Sequence, residues 1–371
     1  MAAPAPAAAA APPTVVELQY ADLKGPPTPA TIAAIARAFA YDGLGLLTVA
    51  GVPGFAEARA AALPFAHAIA TLPEDAKVKL EHKDSYYSFG WSHGRENFNG
   101  QPDTGKGSFY FNPVEDAPGG ADVSALPKDL LPFLHPNIWP AADVCPGFEA
   151  ATKRLAGLMV GVGGELARHV DAYVAQHRAA AAAAAGVPAA AESAAAALPA
   201  GSGGGGGGGA AQPPYTLENI VKRCRTHKAR LLYYFPPPAP APAAAAAAAA
   251  PVAPEAPWCG AHNDHGSLTA LTSALFFQHA SGEVLAQGCP DPQAGLYIKT
   301  RCGQTVRAPI PAGSLAFQIG ECAQIQSGGA LQATPHWVQA PRGEASAGVG
   351  RGTMAVFMCV AGLLLPPPPR L

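Results

Sequence analysis

The chain has 371 residues and a formal net charge of −2, with 13% of its side chains charged. That balance leaves no electrostatic footprint for nucleic acid or an anionic membrane, and the length suits one large domain or two small ones. The longest late apolar stretch, 354–365, is too short to span a bilayer and runs into four prolines. Seven cysteines are scattered without a C-x-x-C pair, which favours reduced thiols in a soluble, cytoplasmic protein over a disulfide framework or a zinc site.

Residues 1–13 are almost wholly Ala and Pro. They lack the basic flank and continuous apolar core of a signal peptide and read as a disordered tail. An N-terminal helical region is expected over 14–178. It opens with a strand at 15–18 and a helix over 29–41, where Ile32, Ile35, Ala36 and Phe39 recur at helical spacing after Thr28-Pro29. A β-branched apolar run at 43–52 reads as a strand, and 55–72 as a helix closed by Pro73-Glu74-Asp75. Residues 86–96 and 106–111 are aromatic and polar. A long helix from 148 to about 177 carries Leu155, Leu158, Met159, Val162, Leu166 and Val170 on one face.

An insert follows at 179–214, poly-Ala and then seven glycines from Gly203. The alanines can prolong the preceding helix and the glycines end it. No Lys-Ser/Thr follows those glycines, so a phosphate-cradling loop is excluded and a low-complexity linker remains. The core expected at 215–365 is strand-rich, with strands at 228–235, 268–277, 296–299, 314–319, 337–339 and 353–360. A flexible Pro/Ala insert interrupts it at 236–257. Many short strands separated by Gly/Pro turns suggest a sandwich or jelly roll. No internal repeat is visible.

Chemistry concentrates at Trp258-Cys259-Gly260-Ala261-His262-Asn263-Asp264-His265-Gly266. Residues i and i+2 of a strand share a face, so the His262 imidazole and the Asp264 carboxylate can reach one point. A second imidazole, His336, lies 72 residues beyond Asp264, far enough to cross a β-core and return. Two imidazoles and one carboxylate occupy one face of an octahedral Fe(II) and leave open positions. The ordinary alternative is a polar turn, since Asn-Asp-His-Gly is good turn sequence and such residues are usually just solvated. His265, pointing away from Asp264, is assigned to structure. Fifteen residues after His336, Arg351 and Thr353 offer a permanent cation and a hydroxyl two residues apart. That pair suits a carboxylate, although a surface arginine at a strand start is the plainer reading.

The order His-x-Asp, a distant His, then Arg-x-Thr resembles the Fe(II)/2-oxoglutarate-dependent dioxygenase superfamily, specifically its isopenicillin-N-synthase-like branch. A second resemblance covers the strand–helix–strand–helix order of the amino-terminal region, ending in Leu-Pro-Glu-Asp-Ala-Lys. Ala50-Gly51-Val52 departs from the Asn-His-Gly frequent in relatives, Thr353 from the commoner Ser, and residues 343–350 from their shorter loop. The resemblance implies an α+β fold with a double-stranded β-helix (jelly-roll) core and flanking helices. It implies His262, Asp264 and His336 as Fe(II) ligands, and Arg351 and Thr353 as the grip on 2-oxoglutarate. Tyr234 is the choice for an assisting tyrosine, with Tyr233 and Phe235 taking its place in other registers and core packing equally open for each tyrosine. The implied reaction is hydroxylation or desaturation of a small organic molecule, consuming O2 and releasing succinate and CO2, with ascorbate as a further cofactor. A monomer without nucleic-acid or membrane partners is expected. Two other readings stand beside it: an iron oxidase of the same fold that does not use 2-oxoglutarate, and a metal- or ligand-binding relative without turnover.

Overall fold

The computed structural model describes residues 13–98, 100–186, 216–237 and 257–358. The tail expected at 1–13 (all but residue 13), most of both inserts and the chain beyond 358 lie outside the described residues.

The first part runs β1 (Val16–Gln19), α1 (Tyr20–Lys24), α2 (Pro29–Phe39), β2 (Leu46–Ala50), α3 (Phe55–Ala62), α4 (Pro64–Ala70) and α5 (Glu74–Val78). Then come β3 (Gly90–His93), β4 (Asn97–Phe98), β5 (Gln101–Pro102), β6 (Lys106–Phe111), α6 (Leu131–Leu134) and α7 (Phe148–Ala184). The second part runs α8 (Leu217–Arg223), β7 (Lys228–Tyr234), β8 (Cys259–His262), β9 (Leu268–Thr272), β10 (Leu275–Gln278), β11 (Glu283–Val284) and β12 (Gly295–Lys299). It ends with β13 (Thr305–Arg307), β14 (Ser314–Ile319), α9 (Glu321–Gln326), β15 (His336–Gln339) and β16 (Val349–Met358).

Local chemistry explains where these elements start and break. Thr28 caps α2 reciprocally: its Oγ1 accepts from Thr31 N at 3.2 Å, and Thr31 Oγ1 accepts from Thr28 N at 3.0 Å. The helix expected over 55–72 is two helices, because Pro64 has no N–H to continue the first and starts the second instead. The strand expected at 268–277 also divides, at Ser273 and Ala274. The carbonyls of those two residues accept from Arg59 Nε at 3.1 Å and Nη2 at 2.7 Å, in place of a ladder. The alanine run prolongs α7 to Ala184. Residues 343–350 are not wholly a loop: a 3₁₀ turn occupies Glu344–Ser346, and β16 begins at Val349, before Arg351.

The strands form a large sheet, ordered β1-β2-β14-β9-β16-β7-β6-β3 with β10 attached at β16 and β11 at β10, a smaller one ordered β13-β12-β15-β8, and a separate β4–β5 pair. Among the described strands, only the β1–β2 pair is parallel. The fold is thus a mixed helix and strand architecture around a large, mainly antiparallel sheet. Alternation along β7 sorts its side chains between two cores. Ala229, Leu231 and Tyr233 join the core shared with α2, α3 and α7. Leu232 and Tyr234 join a second core, in which Leu46, Ala316 and Ala355 of the large sheet meet Leu296, Ile298 and Val338 of the small one. The site lies in that second layer. No described helix is long and apolar enough to cross a membrane, and the six described cysteines lie outside any disulfide.

Candidate metal centre and anion pocket

His262 ends β8 and faces His336, the first residue of β15, in an antiparallel pair. Their rings lie 4.3 Å apart between centroids. Asp264 is not on a strand with His262. It sits past the end of β8, in the loop leading to β9, so cross-strand pairing and a shaped loop converge the three groups in place of the i, i+2 relation expected. The loop is fixed by α9: Glu321 N donates to Asp264 O at 2.8 Å and Gly320 N donates to Ser267 O at 3.1 Å. Gly320 lies so close to the Gly266 and Asp264 carbonyls that a Cβ would not fit. Asp264 Oδ1 stands 3.8 Å from His262 Nε2 and 3.8 Å from His336 Nε2. One candidate ligand atom from each of the three lies within 4.8 Å of the others. Asp264 and His336 are buried, whereas the His262 side chain is 43% exposed. His265 points outward, its Nδ1 2.8 Å from Glu321 Oε2.

A cavity of about 80 Å³ connects this triad to Tyr234, Arg351 and Thr353. Arg351 pairs with Tyr234 and Thr353 with Leu232 across the β16–β7 ladder, and 351, 353, 355 and 357 all line the cavity, as a period of two requires. The Arg351 guanidinium packs 4.9 Å from the Tyr234 ring centroid, while its Nε and Nη1 are buried without any partner. The Thr353 hydroxyl donates to Thr272 O at 3.1 Å and lies 3.2 Å from Thr272 Oγ1, so the proton is already engaged within the sheet. Tyr233 faces the other core, 2.9 Å from His279 Nδ1, and Tyr234 alone of the two lines the cavity.

Electrostatics divides the two imidazoles. Burial pulls the His262 pKa down, but the Cys259 thiol group, the Gly260 carbonyl at 2.8 Å and Asp264 outweigh it and raise it to about 9. Burial holds His336 below the usual range, only partly offset by Asp264. On the flank formed by β6 and β7, Arg230 donates to Glu96 Oε1 at 2.7 Å and to Ser108 Oγ at 2.9 Å. Burial opposes the Glu96 charge, yet Arg230 and Lys106 with the Tyr110 hydroxyl lower its pKa to about 2.

Four contributors escaped the sequence reading: Gln318, Thr272, Cys259 and the Arg230–Glu96 pair. Gln318 Nε2 lies 2.7 Å from His336 Nδ1. A glutamine inside 314–319, a mainly apolar run that proves wholly buried, was a usable signal, because buried polar side chains are seldom without a task. Arg230 and Glu96 are 134 residues apart, and nothing in the sequence joins them.

No family model and no curated protein sequence matches the chain. Solved structures do match. A full-length Neurospora crassa protein in complex with alpha-KG and 5-formyluracil aligns with TM-score 0.57 and 16% identity, over 93% of this chain and 84% of that one. JOX2 in complex with 2OG, Fe and JA aligns with TM-score 0.52 and 15% identity, over 93% and 74%. A dioxygenase for auxin oxidation from rice aligns with TM-score 0.50 and 18% identity, over 93% and 83%. At such identities the likeness establishes the fold, and the chain shares that of the 2-oxoglutarate- and iron-dependent oxygenases.

Proposed function

We propose that the protein is an Fe(II)- and 2-oxoglutarate-dependent oxygenase that hydroxylates or desaturates a small organic molecule and releases succinate and CO2. In this reading the two sheets are the faces of a double-stranded β-helix (jelly roll), built from 14–178 and 215–365 with the low-complexity segment 179–214 between them. The protein is read as a cytoplasmic monomer, with ascorbate as a supporting reductant.

The observation that carries the reading is the Arg351 guanidinium, buried in the cavity with two unpartnered nitrogens. A buried unpaired cation is costly, so the site is built for an anion, and a planar fork matches a carboxylate. The donor set fits Fe(II) at the other end: two imidazoles and one carboxylate, with a cavity beyond them for co-substrates. When bound, the iron supplies oxidative chemistry that couples decarboxylation of 2-oxoglutarate to attack on a C–H bond. The chain's own residues do the positioning. Asp264 and His336 would hold the buried side of the centre, and His262 would close its more exposed side. Arg351, braced by Tyr234, would fix the distal carboxylate of 2-oxoglutarate, while Leu232, Leu271 and Ala355 line the cavity with apolar surface. The complexes of the Neurospora crassa protein with 5-formyluracil and of JOX2 with JA support a small organic substrate.

The test is succinate formation by iron-loaded protein on a mixed metabolite extract, wild type against Asp264→Ala. Succinate that depends on iron, O2 and Asp264 is expected. Folded wild-type protein that binds no iron would overturn the proposal.

A further inference from the structure

We infer that Gln318 is a positioning residue for the metal centre: its side-chain carbonyl accepts the Nδ1 proton of His336 and so leaves the His336 Nε2 lone pair facing Asp264 and the ion. The inference rests on the iron reading above. Its starting point is a conflict in the hydrogen bonding. His336 Nδ1 lies 3.1 Å from Thr334 O and 2.7 Å from the Gln318 amide nitrogen. A backbone carbonyl only accepts, so a hydrogen bond to Thr334 O puts the proton on Nδ1, and a Gln318 oxygen would share that proton with it. An NH2 group 2.7 Å away would then set donor against donor. The same glutamine has its Oε1 buried without a partner.

Exchanging the amide oxygen and nitrogen, which resemble each other in shape and are assigned from the hydrogen-bond network, removes the donor–donor conflict at Nδ1 and turns the NH2 group to the side on which Oε1 met no donor. The oxygen then accepts from Nδ1 and is no longer orphaned. The alternative, with the amide nitrogen donating to Nδ1, would put the imidazole proton on Nε2. That tautomer cannot ligate a metal through Nε2 and would aim an N–H at the place where the ion belongs.

Gln318 is well placed for the task. It lies on β14, a strand buried over its whole length between β2 and β9, where Gln318 pairs with Leu46 and Thr269. A rigid, fully buried strand fixes the amide, and the amide fixes the ring. Hydrogen-bond partners of metal-bound histidines characteristically set tautomer and orientation, and losing one costs about 10–100-fold in metal affinity.

Two measurements on the full chain test this. In metal-free wild-type protein, two-bond proton–nitrogen NMR correlations of the His336 ring should show the Nδ1–H tautomer, and the Nε2–H tautomer would overturn the inference without any variant. Co(II) titration, read by its visible spectrum, then compares wild type with Gln318→Met and Gln318→Glu. The methionine variant, similar in shape but without the acceptor, should bind Co(II) about 10–100-fold more weakly. The glutamate variant restores an acceptor and should recover most of that loss. Unchanged affinity in Gln318→Met, or equal loss in both variants, overturns the role. Wild-type protein that binds no Co(II) sinks the metal reading itself, whereas wild-type binding with an indifferent Gln318→Met sinks only the positioning role.

Discussion

Replacing Arg351 by methionine should move two quantities in opposite directions. The guanidinium is buried, stacks on Tyr234, and leaves Nε and Nη1 without partners. Each hydrogen bond to a charged group is worth about 1.5–3 kcal/mol. Two such bonds to a 2-oxoglutarate carboxylate amount to about 3–6 kcal/mol, or roughly 10²–10⁴ in affinity. Without that anion the same cation is a liability, and exchanging buried charge for apolar side chain is often neutral or stabilising by about 1–4 kcal/mol. The lost stacking on Tyr234 returns up to about 2 kcal/mol of that. Urea unfolding of Mn(II)-loaded protein separates the two effects. Wild type should gain about 2.7 kcal/mol at 2-oxoglutarate equal to 100 times its Kd. Arg351→Met should gain at most about 0.4 kcal/mol at that concentration, while its stability without 2-oxoglutarate stays level or rises. An equal ligand-induced gain in both proteins refutes the reasoning. So does a loss above about 2 kcal/mol in the ligand-free variant, because it would mean that the guanidinium is already paired within the fold.

The other expectations are more local. The raised His262 pKa, about 9 without metal, means that Co(II) must displace a proton at neutral pH. Apparent affinity should therefore climb about tenfold per pH unit from roughly 7 to 9, and calorimetry in two buffers should detect the released proton; a flat profile would contradict the assignment. Glu96, lowered from 4.5 to about 2, contributes stability that is present above its unfolded pKa and lost as pH falls through 4.5 toward 2. The carboxylate is 43% exposed, so the screened contribution is about 1 kcal/mol; Glu96→Gln should flatten the acid limb of the unfolding curve by that amount, and an unchanged limb would argue against the ion pairs. Thr353→Val should cost about 1–3 kcal/mol in unfolding free energy by orphaning its buried partners at Thr272. It should change 2-oxoglutarate affinity far less than Arg351→Met; equal losses of affinity would show that the hydroxyl turns to the ligand. Gly320→Ala should loosen the Asp264 loop and weaken Co(II) binding in a folded protein, as titration would report, since no Cβ fits beside the Gly266 carbonyl.

What the sequence made legible was order and periodicity. The strand at 314–319 and the helix from 148 follow from local pattern, and the converging trio His262, Asp264 and His336 follows from a motif read by chain order. Misreadings arose where one residue's backbone chemistry outweighed the pattern: Pro64 split a helix, and Arg59, far away in sequence, drew two carbonyls out of a strand. The site was harder for a related reason. Its ligand types are local facts, but its geometry depends on which strands lie opposite each other, and the His262–His336 pairing across β8 and β15 has no local signature. The i, i+2 argument reached a set of groups that do converge, by a path the chain does not use. Thr353 makes the same point from the other side. Its spacing from Arg351 qualified it as a ligand-binding hydroxyl, yet a hydroxyl has one proton, and the neighbouring strand had already claimed it. Spacing therefore nominates candidates, and hydrogen-bond capacity decides among them. By that measure Arg351, with two buried donors unclaimed, is the residue of the pocket whose chemistry is least explained by the fold alone.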